Sequence, residues 1–269
     1  MTNPIPPILL VGCGRMGSAM LSGWREQGLS ASFAVDPSPA AAEQAGPDLT
    51  VVGELSDIPA GFVPAAVVLA VKPQNAAAVL PLYAKFGDKA VFLSIMAGRT
   101  MGGIQALLGG GAAVVRAMPN TPAAVRQGMT VCCPAPAVSQ AQRDLCDRLL
   151  RAIGLVEWVD DEGLLDAVTA VSGSGPAYVF LLAELMEAAA RQQGIPPAMA
   201  RTLARQTVAG SGALLAASKE EASQLRVGVT SPGGTTEAAL RVLMADDAWP
   251  KAVAQAIEDA TKRSRELAN

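Results

Sequence analysis

Short apolar runs, each closed by glycine, proline or another turn-forming residue, recur along the first half of the chain. Runs of this kind are typical of strands buried on both faces of a parallel sheet. The pattern predicts strands at residues 8–11, 32–35, 50–52, 65–71, 90–95 and 112–117. Two further runs, 129–133 and 156–159, are predicted as late edge strands around a helix over 139–152. Strands that alternate with helices predict an α/β fold.

At Asp160 long helical periodicities replace the strand-like runs. Helices are predicted over 162–193, 197–218, 237–244 and 252–268. Within the first, the Gly–Pro pair at residues 175–176 is expected to kink or break the helix, which would either expose N–H groups to a ligand or admit another helix. We therefore predict an α/β domain over 1–160 and an all-α domain over 161–269. No stretch of about 18 uninterrupted apolar residues occurs, so no transmembrane helix is predicted.

The turn after the first strand, Gly12–Gly17, reads GCGRMG and leads directly into an apolar-periodic helix. A G-x-G-x-x-G pattern between a strand and a helix is the fingerprint of a dinucleotide-binding turn. Gly12 permits the tight turn, Gly14 lets the backbone approach a pyrophosphate, and Gly17 lets the helix pack on the strand. The pattern predicts an N-terminal Rossmann-like dinucleotide-binding domain. A glycine-rich turn in some other α/β protein is the alternative.

Asp36 ends the second predicted strand, where an acidic residue can hold the ribose 2′-hydroxyl of NAD. It would repel a 2′-phosphate, and no arginine or lysine follows in residues 37–42. The nearby Ser38 could bond either group. This position therefore favours NADH. Alternatively, Asp36 simply begins the turn at Pro37.

Two other strand ends carry candidate residues. Lys72 follows the apolar run 65–71, at a carboxyl end where open α/β sheets bind ligands. Asn120 stands in a Met-Pro-Asn-Thr-Pro turn, where its amide could hold the nicotinamide end of a cofactor. A solvated loop lysine and an ordinary capping turn are the alternative interpretations.

Residues 225–236 read LRVGVTSPGGTT, a predicted loop of hydroxyls and glycines before the helix 237–244. Hydroxyls and backbone N–H groups at a helix N-terminus can hold a carboxylate. A threonine there could also bond a substrate nitrogen. A plain helix N-cap is the alternative.

The amino-acid composition excludes several classes of mechanism and binding partner. The chain has 269 residues, a net charge of −3, four cysteines and no histidine. Imidazole bases and nucleophile–histidine systems are therefore excluded, no metal site is expected, and the lack of a basic stripe argues against nucleic acid. Without a visible secretion signal the thiols are expected to be reduced in a cytoplasm. Abundant alanine indicates an oligomer that buries helical surface, or only a coding bias.

Five motifs span essentially the whole chain. They are GCGRMG at 12–17, LAVKPQ at 69–74, RAMPNTPA at 116–123, SGSGPAY at 172–178 and VTSPGGTT at 229–236. In this order they resemble the pyrroline-5-carboxylate reductase family. The resemblance implies reduction of L-1-pyrroline-5-carboxylate to L-proline with NADPH or NADH, the final step of proline biosynthesis. It also implies a helical C-terminal dimerisation domain, a homodimer or larger homo-oligomer, and a site between one subunit's cofactor and helices shared with its partner.

The motifs and strand ends together give two sets of candidate residues. The cofactor set, in which Met16, Ala70, Val71, Pro73 and Ala97 are implied by the resemblance, is Gly12, Gly14, Arg15, Met16, Gly17, Asp36, Ser38, Ala70, Val71, Lys72, Pro73, Ala97 and Asn120. By resemblance, Ser231, Gly234 and Thr235 hold the substrate carboxylate. The resemblance also implies that the Thr236 hydroxyl faces the ring nitrogen, which makes Thr236 the candidate catalytic residue.

Two positions depart from the family pattern, and two rival functions stay open. Asp36 stands where relatives often have Ser, Thr or Asn, which weakens the usual NADPH assignment. Gly228 stands where some relatives have an asparagine that can contact the cofactor. One rival is a β-hydroxyacid dehydrogenase, but the segment 162–190 lacks the lysine that those enzymes use. The other is a non-catalytic NAD(P)-binding regulator.

Overall fold

An eight-stranded sheet organises the N-terminal part of the molecule. The structure is a computed structural model and describes residues 4–268. The strands are β1 (Ile8–Val11), β2 (Ser32–Val35), β3 (Leu49–Val52), β4 (Ala66–Leu69), β5 (Val91–Ser94), β6 (Val114–Met118), β7 (Gly128–Pro134) and β8 (Gly154–Trp158). They are hydrogen-bonded in the order β3-β2-β1-β4-β5-β6-β7-β8.

The first six strands are all parallel and follow the Rossmann strand order. The chain reverses its direction of travel across the sheet between β1 and β4. A crevice is expected at such a switch point, outside the carboxyl ends of these two strands. The predicted Rossmann-like fold is therefore confirmed, and the glycine turn after β1 lies at the ligand-binding edge.

Short helices and turns cover the sheet. The α-helices of this part are α1 (Arg15–Glu26), α2 (Pro39–Ala42), α3 (Ala76–Val79), α4 (Met101–Leu107), α5 (Gln140–Arg151) and α6 (Leu164–Val168). Tight 3₁₀ turns occur at Leu55–Asp57, Pro73–Asn75, Leu80–Phe86 and Thr121–Val125. Alternate residues of the strands feed apolar clusters on the two faces of the sheet. Trp24 of α1 is fully buried in one cluster, and its indole N–H donates to the Leu149 carbonyl of α5 at 2.8 Å.

The remaining helices form the C-terminal part. They are α7 (Gly175–Gln192), α8 (Pro197–Ala217), α9 (Ala222–Gly228), α10 (Thr235–Leu243) and α11 (Trp249–Ala268). The backbone divides into two compact units, one of the described residues up to Gly173 with those from Ala260 onward, and one of Ser174–Asp259. The end of α11 belongs to the first unit, where the Ser264 hydroxyl donates to Asp166 Oδ1 at 2.6 Å.

Two predictions about local structure are wrong. β7 is not an edge strand, because it lies between β6 and β8, antiparallel to the first and parallel to the second. Residues 225–228 are not loop but the end of α9, so the loop is shorter and α10 begins at Thr235. Residues 225–228 form the last turn of a seven-residue helix that begins after the Glu221 capping box.

The predicted helix over 162–193 is interrupted before the Gly–Pro pair, because α7 begins as a separate α-helix at Gly175. A π-helical turn, Thr169–Gly173, joins α6 to the start of α7, and Pro176 lies in the first turn of α7, where no backbone N–H is required. The helical segment Leu164–Gln192 is long and apolar enough to cross a membrane by length and composition alone. A single helix of this kind is weak evidence for a membrane span, so the prediction of no transmembrane helix is not overturned.

Candidate active site

The glycine turn after β1 has the geometry of a pyrophosphate cradle. Gly12 has φ +99°, and a Cβ there would lie 2.8 Å from the Ala70 carbonyl oxygen. A Cβ on Gly17 would lie 2.4 Å from the Gly12 carbonyl oxygen, so only glycine lets α1 pack against the turn. Around a Cβ on Gly14, by contrast, no atom lies within 4 Å. The turn therefore packs tightly on the rest of the protein at Gly12 and Gly17, whereas at Gly14 it leaves space that a ligand could fill.

The N-terminus of α1 is available to an anion. Gly14 is its N-cap residue and contributes no side-chain cap, and no acidic residue lies in the first turn. The first N–H groups of a helix have no intrahelical partner, so they can donate to a phosphate. Arg15 and Met16 occupy this first turn, with Arg15 exposed and Met16 half-buried.

A cavity of about 860 Å³ opens beside this turn. Its walls include the predicted cofactor residues Gly12, Gly14, Asp36, Ala70, Val71 and Lys72. They also include Gly53, Glu54, Ser56, Tyr83 and Lys85, which sequence reasoning missed. These residues follow β3 or lie in the 3₁₀ segment Leu80–Phe86, whose irregular backbone carries no periodic signal. The volume and the convergent polar groups suit a dinucleotide.

The Asp36 side chain, after β2, is hydrogen-bonded to the glycine turn at Cys13. Asp36 Oδ2 accepts from the Cys13 backbone N–H at 2.6 Å, and Asp36 Oδ1 accepts from the Ser38 N–H at 2.9 Å. Burial, and after it the charge of Asp36, raise the pKa of the Cys13 thiol to about 11. The thiol is therefore neutral near pH 7 and adds no negative charge where a pyrophosphate would lie.

Asn120 is held by two backbone groups. Its Nδ2 donates to the Ser172 carbonyl at 3.0 Å, and its Oδ1 accepts from the Met129 N–H at 2.8 Å. The side chain thus ties the end of β6 to β7 and to the π-helical turn. A Cβ on Gly173 would lie 2.8 Å from Met118 Cε, so the π-helical turn also packs closely on this strand end. Ala97 is exposed at the neighbouring end of β5.

The hydroxyl-rich loop belongs to the helical unit and ends at the N-terminus of α10. Gly234 is the N-cap residue of α10 and contributes no side-chain cap. The Gly233 N–H donates to Glu237 Oε2 at 2.8 Å, and the Thr230 hydroxyl donates to the Arg226 carbonyl at 2.7 Å. Gly233 has φ +71°, a conformation that favours glycine.

The predicted substrate residues surround this helix end. Ser231 and Thr235 are exposed, and Thr236 is half-buried in the first turn of α10. The first N–H groups of a helix have no partner within the helix, so this helix end can accept an anion such as a carboxylate. Among residues 4–268 no group of three or more His, Cys, Asp or Glu side chains is arranged to hold a metal ion.

A second large cavity, of about 1010 Å³, lies within the helical unit. It runs between α7 and α8 and contains none of the predicted site residues. Its walls combine apolar residues such as Phe180, which is 66% exposed, with the charged side chains of Glu184, Glu187, Arg191, Arg201 and Arg205. A single chain leaves this apolar helical surface uncovered, which is typical of an interface.

The fold and the glycine turn define a dinucleotide-dependent oxidoreductase with a separate helical region. Residues 162–267 match the family model described as pyrroline-5-carboxylate reductase dimerisation, and residues 7–98 match a model described as NADP oxidoreductase, coenzyme F420-dependent. The chain is 39% identical to the pyrroline-5-carboxylate reductase of Pseudomonas aeruginosa over 98% of its own length and 97% of that protein. It belongs to the pyrroline-5-carboxylate reductase family.

Solved structures agree with this assignment. A pyrroline-5-carboxylate reductase from Coxiella burnetii superposes with a TM-score of 0.90 at 31% identity, covering 98% of this chain and 99% of that one. A pyrroline carboxylate reductase from Plasmodium falciparum, solved with NADP bound, gives a TM-score of 0.80 at 27% identity over 98% and 100% of the two chains. The chain is therefore an NAD(P)H-dependent oxidoreductase.

Proposed function

We propose that the glycine turn and the 229–236 loop serve one reaction, the reduction of L-1-pyrroline-5-carboxylate to L-proline with hydride from NAD(P)H. Family membership supports this activity, the final step of proline biosynthesis. The observation that carries the assignment of roles is the N-terminus of α10, which has no side-chain cap and has Ser231 just before it and Thr235 and Thr236 in its first turn. It offers an anion site to the carboxylate of an imino acid in a chain without histidine.

The residues at the carboxyl edge of the sheet bind and orient the cofactor. The N–H groups at the start of α1 hold the pyrophosphate, with Gly14 leaving the space that it needs. The segment Ala70–Pro73 would hold the dinucleotide further along its length, and Ala97 and Asn120 would hold its nicotinamide end. Bound NAD(P)H supplies the hydride. The protein has to keep the cofactor at a fixed position relative to the substrate carbon.

The 229–236 loop binds and orients the substrate. The Gly233 N–H is already used by Glu237, so the carboxylate is held by the Ser231 hydroxyl and the N–H groups of Thr235 and Thr236. The Thr236 hydroxyl accepts a hydrogen bond from the protonated ring nitrogen. A protonated imine carbon is already electrophilic, so no strong protein acid is needed. Hydride adds to that carbon, the C=N bond becomes a single bond, and the nitrogen keeps its proton as the amine of proline.

The helical region assembles the protein. Residues 162–267 match a dimerisation model, and the exposed apolar residues of α7 and α8 supply a surface to bury. We infer a homodimer or larger homo-oligomer formed through the helical domain, taken as residues 161–269, with residues 1–160 as the dinucleotide-binding domain. The four free cysteines fit a reducing cytoplasm, where we place the enzyme.

Thr236→Val tests the role of the hydroxyl, because it removes the oxygen and keeps the shape. One hydrogen bond to a charged group contributes about 1.5–3 kcal/mol, so kcat should fall by roughly 10- to 100-fold while the Kd for NAD(P)H changes little. Turnover is measured as NAD(P)H oxidation with chromatographic detection of proline. Thr202→Val, at an exposed hydroxyl of α8, is the matched control. Wild-type turnover in Thr236→Val would remove Thr236 from the mechanism.

A further inference from the structure

Asp36 is a fixed carboxylate at the end of β2. Its oxygens accept from the N–H groups of Cys13 and Ser38, and its own N–H donates to the Val52 carbonyl at 3.0 Å. Because each carboxylate oxygen accepts a hydrogen bond from the backbone, the side chain is held against the cavity that it lines. A carboxylate has about four lone-pair sites, so each oxygen can still accept from a ribose hydroxyl.

The stretch of sequence that contains Asp36 supplies no cation that could hold a phosphate. No lysine or arginine occurs between Arg25 and Lys72, a stretch that includes β2, β3 and the turns after both strands. Arg25 itself is engaged, with Nη2 3.0 Å from Asp48 Oδ1 and 2.6 Å from the Gln44 carbonyl. The same stretch adds a second carboxylate to the cavity wall, that of Glu54.

The cavity does contain two lysines, but both come from the chain after β4. Lys72 caps the 3₁₀ turn Pro73–Asn75, and Lys85 lies in the segment Leu80–Phe86 with its ammonium 5.2 Å from the centre of the Phe86 ring. The charged groups that line the cavity are therefore Asp36 and Glu54 from the β2 and β3 ends, and Lys72 and Lys85 from the β4 side. In this fold the adenosine ribose is read at the end of β2.

We propose that Asp36 makes this enzyme select NADH over NADPH, by accepting hydrogen bonds from the adenosine ribose hydroxyls and repelling a 2′-phosphate. The proposal deepens the function proposed above and rests on its cofactor site. It sets this chain apart from the NADP named in the matched N-terminal model and bound in the Plasmodium falciparum structure. A 2′-phosphate would bring its charge next to a carboxylate that two backbone N–H groups hold in place, and the ends of β2 and β3 provide no lysine or arginine to compensate it.

Cofactor binding without substrate tests the proposal independently of turnover. NADH and NADPH are titrated separately by nicotinamide fluorescence into the wild type, Asp36→Asn, Ser38→Arg and the control Glu43→Gln. Glu43 is an exposed carboxylate next to α2 that does not line the cavity. We expect the wild type and the control to bind NADH at least about tenfold more tightly than NADPH. Asp36→Asn should reduce this ratio to within about threefold.

Asp36→Asn could disturb the local backbone, because Asp36 bonds the N–H groups of both Cys13 and Ser38. Ser38→Arg provides a second test that leaves Asp36 in place. An added guanidinium beside the ribose should tighten NADPH binding selectively. Equal or tighter binding of NADPH by the wild type would overturn the proposal. A ratio in Asp36→Asn as large as in the wild type, with the variant folded, would overturn it as well. Selective NADH binding with no oxidation by pyrroline-5-carboxylate would instead refute the proposed reaction and leave the cofactor selection standing.

Discussion

Replacing Gly14 by alanine should separate cofactor binding from folding. Gly14 has φ −65° and ψ −173°, a conformation that any residue adopts, and a Cβ there meets no atom within 4 Å. The new methyl group would occupy only the space where the backbone approaches a pyrophosphate. The matched variant is Gly17→Ala, three residues further on, where the Cβ would lie 2.4 Å from the Gly12 carbonyl oxygen.

Gly14→Ala is expected to change the free energy of cofactor binding and to leave the free energy of unfolding nearly unchanged. In Gly14→Ala, the reduced freedom of the unfolded chain stabilises by about 0.4–1 kcal/mol. Alanine is a poorer N-cap residue than glycine by a similar amount, so the free energy of unfolding should stay within about 0.5 kcal/mol of wild type. A pyrophosphate displaced by the methyl group loses one charge-assisted hydrogen bond of about 1.5–3 kcal/mol, which weakens binding by roughly 10- to 100-fold.

Gly17→Ala should be destabilised without any cofactor present. Because its Cβ would overlap a backbone oxygen rather than a flexible side chain, either α1 or the glycine turn has to shift. Overpacking of this kind costs about 1–3 kcal/mol. Cofactor binding would weaken too, since the shifted turn no longer presents its N–H groups in the same place.

Two measurements on the same preparations distinguish these outcomes. Urea unfolding without cofactor gives the stability of each variant, and fluorescence titration with NADH and NADPH gives the binding. We expect Gly14→Ala to lose binding alone and Gly17→Ala to lose both. Wild-type affinity in Gly14→Ala would refute the placement of the pyrophosphate at this turn. Wild-type stability in Gly17→Ala would refute the packing argument.

Two further predictions concern stability. Burial raises the pKa of the Cys146 thiol to about 12, and burial together with Asp36 raises that of Cys13 to about 11, both from an ordinary value of 9.0. An unfolded chain therefore ionises first, and the urea midpoint should fall as the pH rises above about 9; a flat midpoint up to pH 10.5 would contradict this. Arg126 has φ +60° and donates to Glu26 and the Ser22 hydroxyl. Arg126→Ala should therefore be about 1 kcal/mol less stable than Arg126→Gly, which relieves the left-handed backbone; equal urea midpoints would argue against strain at this residue.

The Rossmann fold could be predicted because its signals are local. Each buried parallel strand is a short apolar run, and the glycine turn has a fixed spacing to the strand before it and the helix after it. The position of β7 within the sheet could not be predicted, because it depends on antiparallel pairing with β6 and parallel pairing with β8. The apolar run 129–133 predicts a strand but does not indicate which strands pair with it.

Some residues that line the cavity could be predicted from local sequence signals, and others could not. Gly12, Gly14 and Asp36 were accessible to sequence reasoning because a strand end or a glycine spacing marks them. Tyr83 and Lys85 lie in an irregular 3₁₀ segment, and only the folded chain brings them to the same wall. In the helical region, Leu225–Gly228 looked like loop because intrinsic preference is weak over a single turn.

Asn120 has a structural role that would accompany the cofactor-binding role proposed for it. With its oxygen bonded to the Met129 N–H and one N–H donated to Ser172, the amide retains one N–H and one lone pair for a ligand. The bond to Ser172 also holds the π-helical turn, a feature that is frequent at functional sites because it aims residues that a regular helix would not. A sequence motif identifies Asn120 as important but cannot separate these two roles. A substitution of Asn120 is therefore expected to shift the π-helical turn that precedes α7, in addition to removing any contact that the amide makes with a ligand.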